Sequence, residues 1–241
     1  MSHIHIDVEN LTYAYEAGVP VLQDICLHAG ENESIGLIGA NGAGKTTLLR
    51  VLATLAVPDS GTVMIDGQDA LSRPLRYRRQ LGYLPERVAL YEDMKVRDYL
   101  QYRATLKGEP AKRVRRRISE AVEMCRIGDL MRTSIHWLSA GLRKRVALAD
   151  ALLLRPRVLL LDDFLAGLDH DMRMAAGEIL SNAASFSSVI VTGHELWDFA
   201  KWTSRFLVLR DGVIAAKVET AGLEPSVLRE RVEDAMSGGA R

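Results

Sequence analysis

Hydrophobic and polar residues alternate along the first thirty positions in the manner of β-strands. The alternation covers three runs, from His3 to Val8, from Leu11 to Tyr15 and from Val21 to Leu27. Small or flexible residues follow the second run at Ala17-Gly18 and the third run at Ala29-Gly30, and each pair indicates a turn. The pattern predicts that the chain begins with a small antiparallel β layer.

Short apolar runs and helical patterns follow, as in α/β proteins. The runs from Val158 to Leu161 and from Ser188 to Thr192 are typical of strands buried on both faces of a parallel sheet. Further strands are predicted from Ser34 to Ile38, Thr62 to Ile65 and Leu81 to Leu84. A hairpin through Asp211-Gly212 is predicted to join a strand from Phe206 to Arg210 with a strand from Val213 to Val218. Helices are predicted from Lys45 to Ala53, where leucines are frequent, and from Pro225 to Met236 near the end of the chain.

Strand signals are absent between Val96 and Ile127. Helical patterns run from Val96 to Leu106 and from Ala111 to Arg126, and a third runs from about Gly141 to Leu154, where Pro156 ends it. We interpret 96–154 as a helical lobe inserted into a single domain that covers 1–241. Residues 1–95 and 155–241 then form the core and the β layer.

Composition narrows the class of protein. The 241 residues include 31 basic and 31 acidic side chains, so the charge gives no reason to expect a nucleic-acid partner. No apolar run approaches the length that crosses a bilayer, and the first residues lack a secretory pattern, so we expect a cytoplasmic protein. The two cysteines, Cys26 and Cys125, lie too far apart in sequence to indicate a zinc site or a disulfide framework.

A phosphate-binding motif provides the first candidate chemistry. The stretch Gly39-Ala40-Asn41-Gly42-Ala43-Gly44-Lys45-Thr46-Thr47 fits G-x-x-x-x-G-K-[ST] between a predicted strand and a predicted helix. Glycines allow the backbone to turn its N–H groups inward, and the helix start adds a partial positive charge. We expect Lys45 to reach the β- and γ-phosphates and Thr46 to bind Mg²⁺. The fold class predicted is therefore α/β, a P-loop NTPase core with a mainly parallel sheet, an N-terminal antiparallel β layer and an inserted helical lobe.

A pair of aspartates follows the apolar run Leu159-Leu160-Leu161. Because this run is predicted to be a strand, Asp162 should lie at the carboxyl edge of the sheet, beside the phosphates and the metal. Asp162 is a candidate Mg²⁺ ligand, directly or through water. Asp163 is the candidate that polarises the attacking water.

Several further motifs, in order, resemble those of the ATP-binding subunits of ABC transporters. The segment from Leu138 to Arg145 resembles the family signature L-S-G-G-Q, and Gly167-Leu168-Asp169 resembles the D-loop. His194 stands at the position of the switch histidine, and Tyr15 is placed like the aromatic residue that stacks on adenine. Nearly the whole chain takes part in the resemblance.

The resemblance implies a set of roles. ATP and Mg²⁺ are the expected substrate and metal. His194 would hold the γ-phosphate and the water in line. The signature residues would bind the ATP of an opposite subunit, a second copy or a paralogue, so that two chains enclose two nucleotides. The nucleotide-binding residues expected are Tyr15, Gly39, Asn41, Gly42, Ala43, Gly44, Lys45, Thr46, Thr47, Ser139, Ala140, Gly141 and Asp169.

The chain departs from the family pattern in three places. Asp163 replaces the usual glutamate and is shorter by one methylene, so we expect slow but measurable hydrolysis. Glu86 stands where many members have glutamine, and it is a further candidate for Mg²⁺ and water. Ala140 and Leu142 replace a glycine and the glutamine of the signature, so we expect weaker ATP-driven dimerisation. Glu86 and its neighbours resemble the exporter-type, ABC-2-like branch.

The function implied is an ATPase subunit that powers a separate transmembrane permease and lies on the inner face of the membrane through it. Two alternatives stay open. One is a soluble ABC-type ATPase in cofactor assembly or regulation, which needs no permease. The other is a nucleotide-binding regulator without useful turnover. The transported substrate is not encoded here, because selectivity would belong to the permease.

Overall fold

The structure is a computed structural model that describes residues 4–16, 18–166, 170–193 and 200–238. The strands are β1 (Ile4–Glu16), β2 (Val19–Gly30), β3 (Ser34–Ile38), β4 (Ser60–Ile65), β5 (Gln68–Asp69), β6 (Leu81–Leu84), β7 (Val158–Leu161), β8 (Ser188–Thr192), β9 (Arg205–Arg210) and β10 (Val213–Glu219). The α-helices are α1 (Lys45–Leu52), α2 (Pro74–Arg78), α3 (Val96–Leu106), α4 (Ala111–Met124), α5 (Ala140–Leu152), α6 (His170–Ala184) and α7 (Pro225–Ser237).

Two sheets form within the described residues. One is antiparallel with the order β2-β1-β4-β5, and the other has the order β10-β9-β3-β8-β7-β6. In the second sheet β9, β3, β8, β7 and β6 pair in parallel, and β10 is an antiparallel edge strand. Every position of β3, β7 and β8 is buried, as expected for strands covered on both faces. The predicted α/β class, with its antiparallel layer and mainly parallel sheet, is confirmed.

Alternation along the parallel strands divides the hydrophobic core into two clusters. On β7, Leu160 belongs to the cluster beneath the antiparallel sheet, whereas Leu159 and Leu161 belong to the cluster on the helical side. Strand β8 follows the same rule, with Ile190 on the first side and Val191 on the second. The central sheet is therefore held between two apolar layers, which fixes the position of its carboxyl edge.

The helical lobe contains a buried ion cluster. Asp150 of α5 accepts from Arg103 at 2.9 Å and from Lys107 at 2.8 Å, and the Tyr99 hydroxyl lies 3.4 Å away. Burial acts to raise the pKa of Asp150, but the two cations outweigh it and hold the pKa below its ordinary value. The cluster ties α3 to α5. None of the described helices is long and apolar enough to cross a membrane.

Most predicted elements are found within one or two residues of their expected bounds. The hairpin turn is confirmed, because Asp211 and Gly212 both have positive φ, 48° and 77°. The predicted turn at Ala29-Gly30 is wrong. Strand β2 continues to Gly30, and the chain turns at Glu31 and Asn32, where the φ of Asn32 is 59°.

The two apolar runs at the start form one strand, β1, and not two. Register shifts between Val8 and Leu11 absorb the break, and Asn10 has a φ of 48° there. Helix α6 was not predicted at all. Its Gly177 lowers helix propensity, yet a Cβ at this position would lie 2.2 Å from the Trp202 ring, so packing requires the glycine.

Strand β6 and helix α5 are in backbone contact at Gly82, which generates a stability prediction. A Cβ on Gly82 would lie 2.6 Å from the carbonyl oxygen of Ala151 and 2.9 Å from side-chain atoms of Leu159 and Pro156. Gly82→Ala should therefore lower the free energy of unfolding by about 1–3 kcal/mol through overpacking. Urea denaturation measures the change.

Gly128→Ala is the matched control, because its φ is not positive and a Cβ would meet nothing within 4 Å. Its effect should stay within about 0.5 kcal/mol. Equal midpoints for the two variants would contradict the close approach at Gly82.

Candidate functional site

The phosphate-binding loop connects β3 to α1, and three of its glycines are needed for different physical reasons. A Cβ on Gly39 would lie 2.2 Å from the carbonyl oxygen of Leu209, so no side chain fits. Gly42 has open space around it but a φ of 81°. Gly44 has a φ of 106° and lies against Leu22. Together they fix a tight turn that larger residues would not adopt.

Lys45 begins α1 and folds back over this loop. Its ammonium donates to the carbonyl oxygens of Gly39 at 2.7 Å and Ala40 at 2.9 Å. Burial lowers the pKa of Lys45, while Asp163 and Asp162 act in the opposite direction. The first turn of α1 has neither an acidic residue nor a side-chain cap, so its N–H groups are available to an anion.

Asp162 lies directly after β7 and connects this strand to α1, which follows the phosphate-binding loop, and to β8. Its Oδ1 accepts from the Thr46 hydroxyl at 3.1 Å and from the Thr192 hydroxyl at 2.9 Å. Its Oδ2 is buried and has no hydrogen-bond partner among the described residues. Burial raises the pKa of Asp162, against the effect of the two hydroxyl donors.

This arrangement fits Mg²⁺. A buried carboxylate oxygen that lacks a donor, close to a threonine hydroxyl, is the kind of oxygen set that a hard divalent cation takes beside phosphates. Thr46 and Asp162 would hold the ion, and Glu86 lines the same cavity. The expected metal-binding residues therefore lie together.

Asp163 lies in a turn with an unusual backbone. Its φ is 44°, a region that aspartate enters more readily than most residues, and its N–H donates to the Thr192 hydroxyl at 2.8 Å. Thr192 was not predicted as a site residue. The available signal was a hydroxyl residue at the carboxyl end of a buried strand, on the edge where Asp162 also lies.

Tyr15 and Tyr13 are distinguished by the structure. Tyr15 is 56% exposed, and its hydroxyl lies 3.1 Å from that of Thr47, whereas Tyr13 packs against the apolar cluster beneath the antiparallel sheet. The two rings meet edge to face, with centroids 5.1 Å apart. Tyr15 is thus the ring that borders the phosphate loop.

A cavity of about 430 Å³ collects most of the predicted residues. It is lined by Tyr15, Val21, Asn41, Gly42, Gly44, Lys45, Thr46, Thr47, Glu86, Asp162, Asp163 and Thr192. Gly39 and Ala43 belong to the same loop but do not line the cavity, and Ala43 is buried. Asp169 and His194 lie outside the described residues.

The signature segment does not line this cavity. Ser139 caps α5 by accepting from the Leu142 N–H at 3.3 Å, and Ser139 and Ala140 are exposed. The φ of Ala140 is not positive, so the alanine is accommodated without strain. The first turn of α5 contains no acidic residue, which leaves a second helix terminus open to an anion.

An ion pair holds the segment that leads into the signature. Arg143 of α5 donates to Glu92 at 2.6 Å and to the carbonyl oxygens of His136 and Leu138 at 2.9 Å and 3.1 Å. A hydrogen bond from His136, and then the charge of Arg143, lower the pKa of the Glu92 carboxyl. Trp137, which lies between His136 and Leu138 in sequence and two residues before Ser139, is 78% exposed.

Known proteins resemble the chain in sequence and in fold. The family model described as "ABC transporter" matches residues 22–166. The spermidine/putrescine import ATP-binding protein of Marinobacter nauticus is 34% identical over 89% of this chain and 57% of its own length. An uncharacterized ABC transporter ATP-binding protein of Bacillus subtilis is 31% identical over 91% of this chain and 72% of its own. A solved ATP-binding subunit of an ABC transporter is 26% identical, with a TM-score of 0.84, over 95% of this chain and 99% of that one.

The relatives do not support the exporter-type branch expected from Glu86. The Marinobacter relative is named an import protein, and so is a sulfate/thiosulfate relative from Methylococcus capsulatus, 34% identical over 87% of this chain and 61% of its own length. A local likeness around one residue is thus outweighed by similarity along the chain. The chain spans about three fifths of the length of these two relatives.

The family match covers more than half of the chain, and the fold agrees with it from the antiparallel layer to the terminal helix. The chain therefore belongs to the ABC transporter family.

Proposed function

We propose that this chain binds ATP with Mg²⁺, hydrolyses it, and thereby powers a separate transmembrane permease through closure of an ATP-bound dimer. The observation that carries the proposal is the single cavity in which the phosphate loop, Thr46, Asp162, Glu86 and Asp163 meet. A phosphate cradle alone supports only binding. The additional carboxylates beside it support hydrolysis.

Each residue has a task that its position allows. The loop N–H groups and the start of α1 hold the phosphates, and Lys45 leaves its carbonyl partners to neutralise the β- and γ-phosphates. Thr46 and Asp162 hold Mg²⁺, which when bound draws negative charge from the phosphate oxygens. Asp163 accepts hydrogen bonds from the attacking water and takes its proton. Tyr15 stacks on the adenine, and we assign the positioning of the γ-phosphate to His194, following the family resemblance.

The signature residues serve the nucleotide of a second copy or of a paralogue. Ser139, Ala140 and Gly141 stand at a helix start outside the chain's own cavity, so within one chain they have no phosphate to bind. Asp169 belongs to the same proposed interface. A solved bacterial ABC transporter cassette with this fold, 23% identical with a TM-score of 0.82 over 90% of this chain and 100% of its own, was solved as a dimer.

The transport role rests on the relatives, whose names describe ATP-binding subunits. We propose that residues 1–241 act as one such domain, with 96–154 as its helical lobe, and that the permease holds the chain at the inner face of the membrane. Co-purification tests this role. Capture of a multi-span membrane protein supports it, whereas an active ATPase without such a partner supports a soluble assembly or regulatory ATPase.

Lys45 is expected to contribute directly to ATP binding. Lys45→Met removes a charge-assisted contact to phosphate of about 1.5–3 kcal/mol, so the Kd for ATP should rise about tenfold or more. Isothermal titration calorimetry with Mg²⁺ present measures it. Lys217→Met on the exposed face of β10 is the matched control and should bind as wild type does. An unchanged Kd for Lys45→Met would remove Lys45 from the phosphate site.

Asp163 is expected to control the rate of ATP turnover. Asp163→Asn keeps the side-chain shape and tolerates the positive φ, but it cannot take a proton, so kcat should fall about a hundredfold or more while ATP still binds. Phosphate release measures kcat. In the companion variant Asp163→Glu the carboxylate reaches one methylene further, and kcat should rise if the short side chain limits turnover. Wild-type turnover in Asp163→Asn would show that Asp163 is not the base.

Each ATP site is expected to combine the phosphate loop of one chain with the signature residues of another. Ser139→Asp preserves the helix cap but places a negative charge where the partner's γ-phosphate would lie, so this variant and Lys45→Met should each be inactive. In an equimolar mixture about half of the dimers combine both variants and contain one intact site, so about a quarter of the wild-type rate should return. No recovery would exclude a second copy as the partner and leave a paralogue.

A further inference from the structure

Helix α5 contacts the turn after β7 through a side chain to which the sequence pattern assigns no role. Lys144 is 7% exposed and lies five residues after the helix cap. Its ammonium donates to the carbonyl oxygen of Asp163 at 2.7 Å and to that of Ala166 at 2.9 Å. Both carbonyls belong to the turn that follows β7. Lys144 therefore contacts the backbone of the residue proposed as the base.

The turn that Lys144 holds is strained. Asp163 has a φ of 44°, and backbone conformations of this kind are unfavourable unless the surroundings enforce them. Three contacts enforce it here. The Asp163 N–H donates to Thr192 at 2.8 Å, the Ala166 N–H donates to the Asp163 carbonyl at 3.2 Å, and Lys144 donates to that same carbonyl.

The charge of Lys144 matters as well as its hydrogen bonds. It forms no ion pair within the described part of the chain, and burial lowers its pKa. The carboxylates of Asp163, Glu86 and Asp162 oppose this effect, so all three are near enough to interact with the ammonium. Glu86 adds a negative charge that glutamine would not bring. The buried ammonium of Lys144 offsets part of this negative charge.

We propose that Lys144 is the positioning residue of Asp163 and couples the signature helix to hydrolysis. Its two hydrogen bonds set the turn, and the turn sets the direction in which the Asp163 carboxylate points. Because Lys144 and Ser139 share α5, contact of Ser139 with the partner's nucleotide acts on Asp163 through this side chain. The catalytic half of this inference rests on the proposed role of Asp163 as the base.

A double-mutant cycle tests the coupling. Lys144→Met should lower kcat about ten- to a hundredfold with little change in the KM for ATP, because a displacement of about 1 Å of a catalytic group costs that much. In the Asp163→Asn background the same substitution should cause no further loss. Multiplied losses, or a rise in KM alone, would overturn the proposal.

Two further variants separate positioning from general destabilisation. Lys144→Arg keeps the charge and the donors and should recover much of kcat. Lys107→Met removes another mostly buried lysine of the same lobe, which pairs with Asp150 and does not contact the turn. It should lower the melting temperature without selective loss of kcat. Equal loss of kcat in both methionine variants would indicate a structural role only.

Hydrogen exchange provides a readout that does not depend on turnover. Without ATP, peptides covering residues 162–166 should exchange faster in Lys144→Met than in wild type, and Lys107→Met should leave them unchanged. Unchanged exchange in Lys144→Met overturns the inference itself. Faster exchange in a protein whose wild type shows no phosphate release would instead overturn the proposed hydrolysis and, with it, the catalytic half of the inference.

Discussion

The carboxylate of Asp162 joins three elements that lie far apart in sequence. It accepts from Thr46 on α1 and Thr192 on β8 while it ends β7, so one buried group sets the distance between the phosphate loop and the acidic edge of the sheet. A buried carboxylate with one oxygen lacking a donor is unfavourable in isolation, since the lost hydration is only partly replaced. The surrounding apolar strands hold it there, and in the proposed function the cost would be recovered when Mg²⁺ and the phosphates of ATP bind. Ligand binding and folding would then be linked at this one residue.

Sequence patterns predicted the parts of the site that depend on local backbone requirements. The phosphate loop can be recognised because its tight turn requires glycines, and the strand before Asp162 can be recognised because a strand buried on both faces requires a run of apolar residues. Both requirements act on neighbouring residues. The roles of Thr192 and Lys144 depend on tertiary contacts. Thr192 contacts Asp163 and Asp162, which lie 29 and 30 positions away in sequence, and Lys144 contacts Asp163, 19 positions away. Threonine is common on strands and lysine on helices. The local signal at Thr192, a hydroxyl residue at the end of a buried strand, is shared by many ordinary strands, and Lys144 looks like part of a solvated helix face.

The same limit explains the errors in the fold. The bend in β1 at Asn10 and the extension of β2 to Gly30 are set by pairing between strands, whereas the alternation pattern reports only which side chains face inward. Helix α6 was obscured because Gly177 is chosen for the approach of Trp202 and not for helix propensity. At positions where tertiary packing selects a residue that local propensity disfavours, the sequence pattern of that segment predicts the wrong secondary structure or none.

The contact at Gly82 fixes the carboxyl end of α5 on the sheet, so any rotation of α5 would be centred near this end. Because the backbone of β6 lies against Ala151 without an intervening side chain, the carboxyl end of α5 cannot slide on the sheet. Ser139 lies roughly 18 Å away along the helix axis at 1.5 Å per residue, so a tilt of about 5° moves it by roughly 1.5 Å. Lys144, five residues from Ser139, would move by more than half of that distance. In the proposed dimer, a small rotation of the helix would therefore produce a larger shift at the end that meets the partner chain than at the end packed on the sheet.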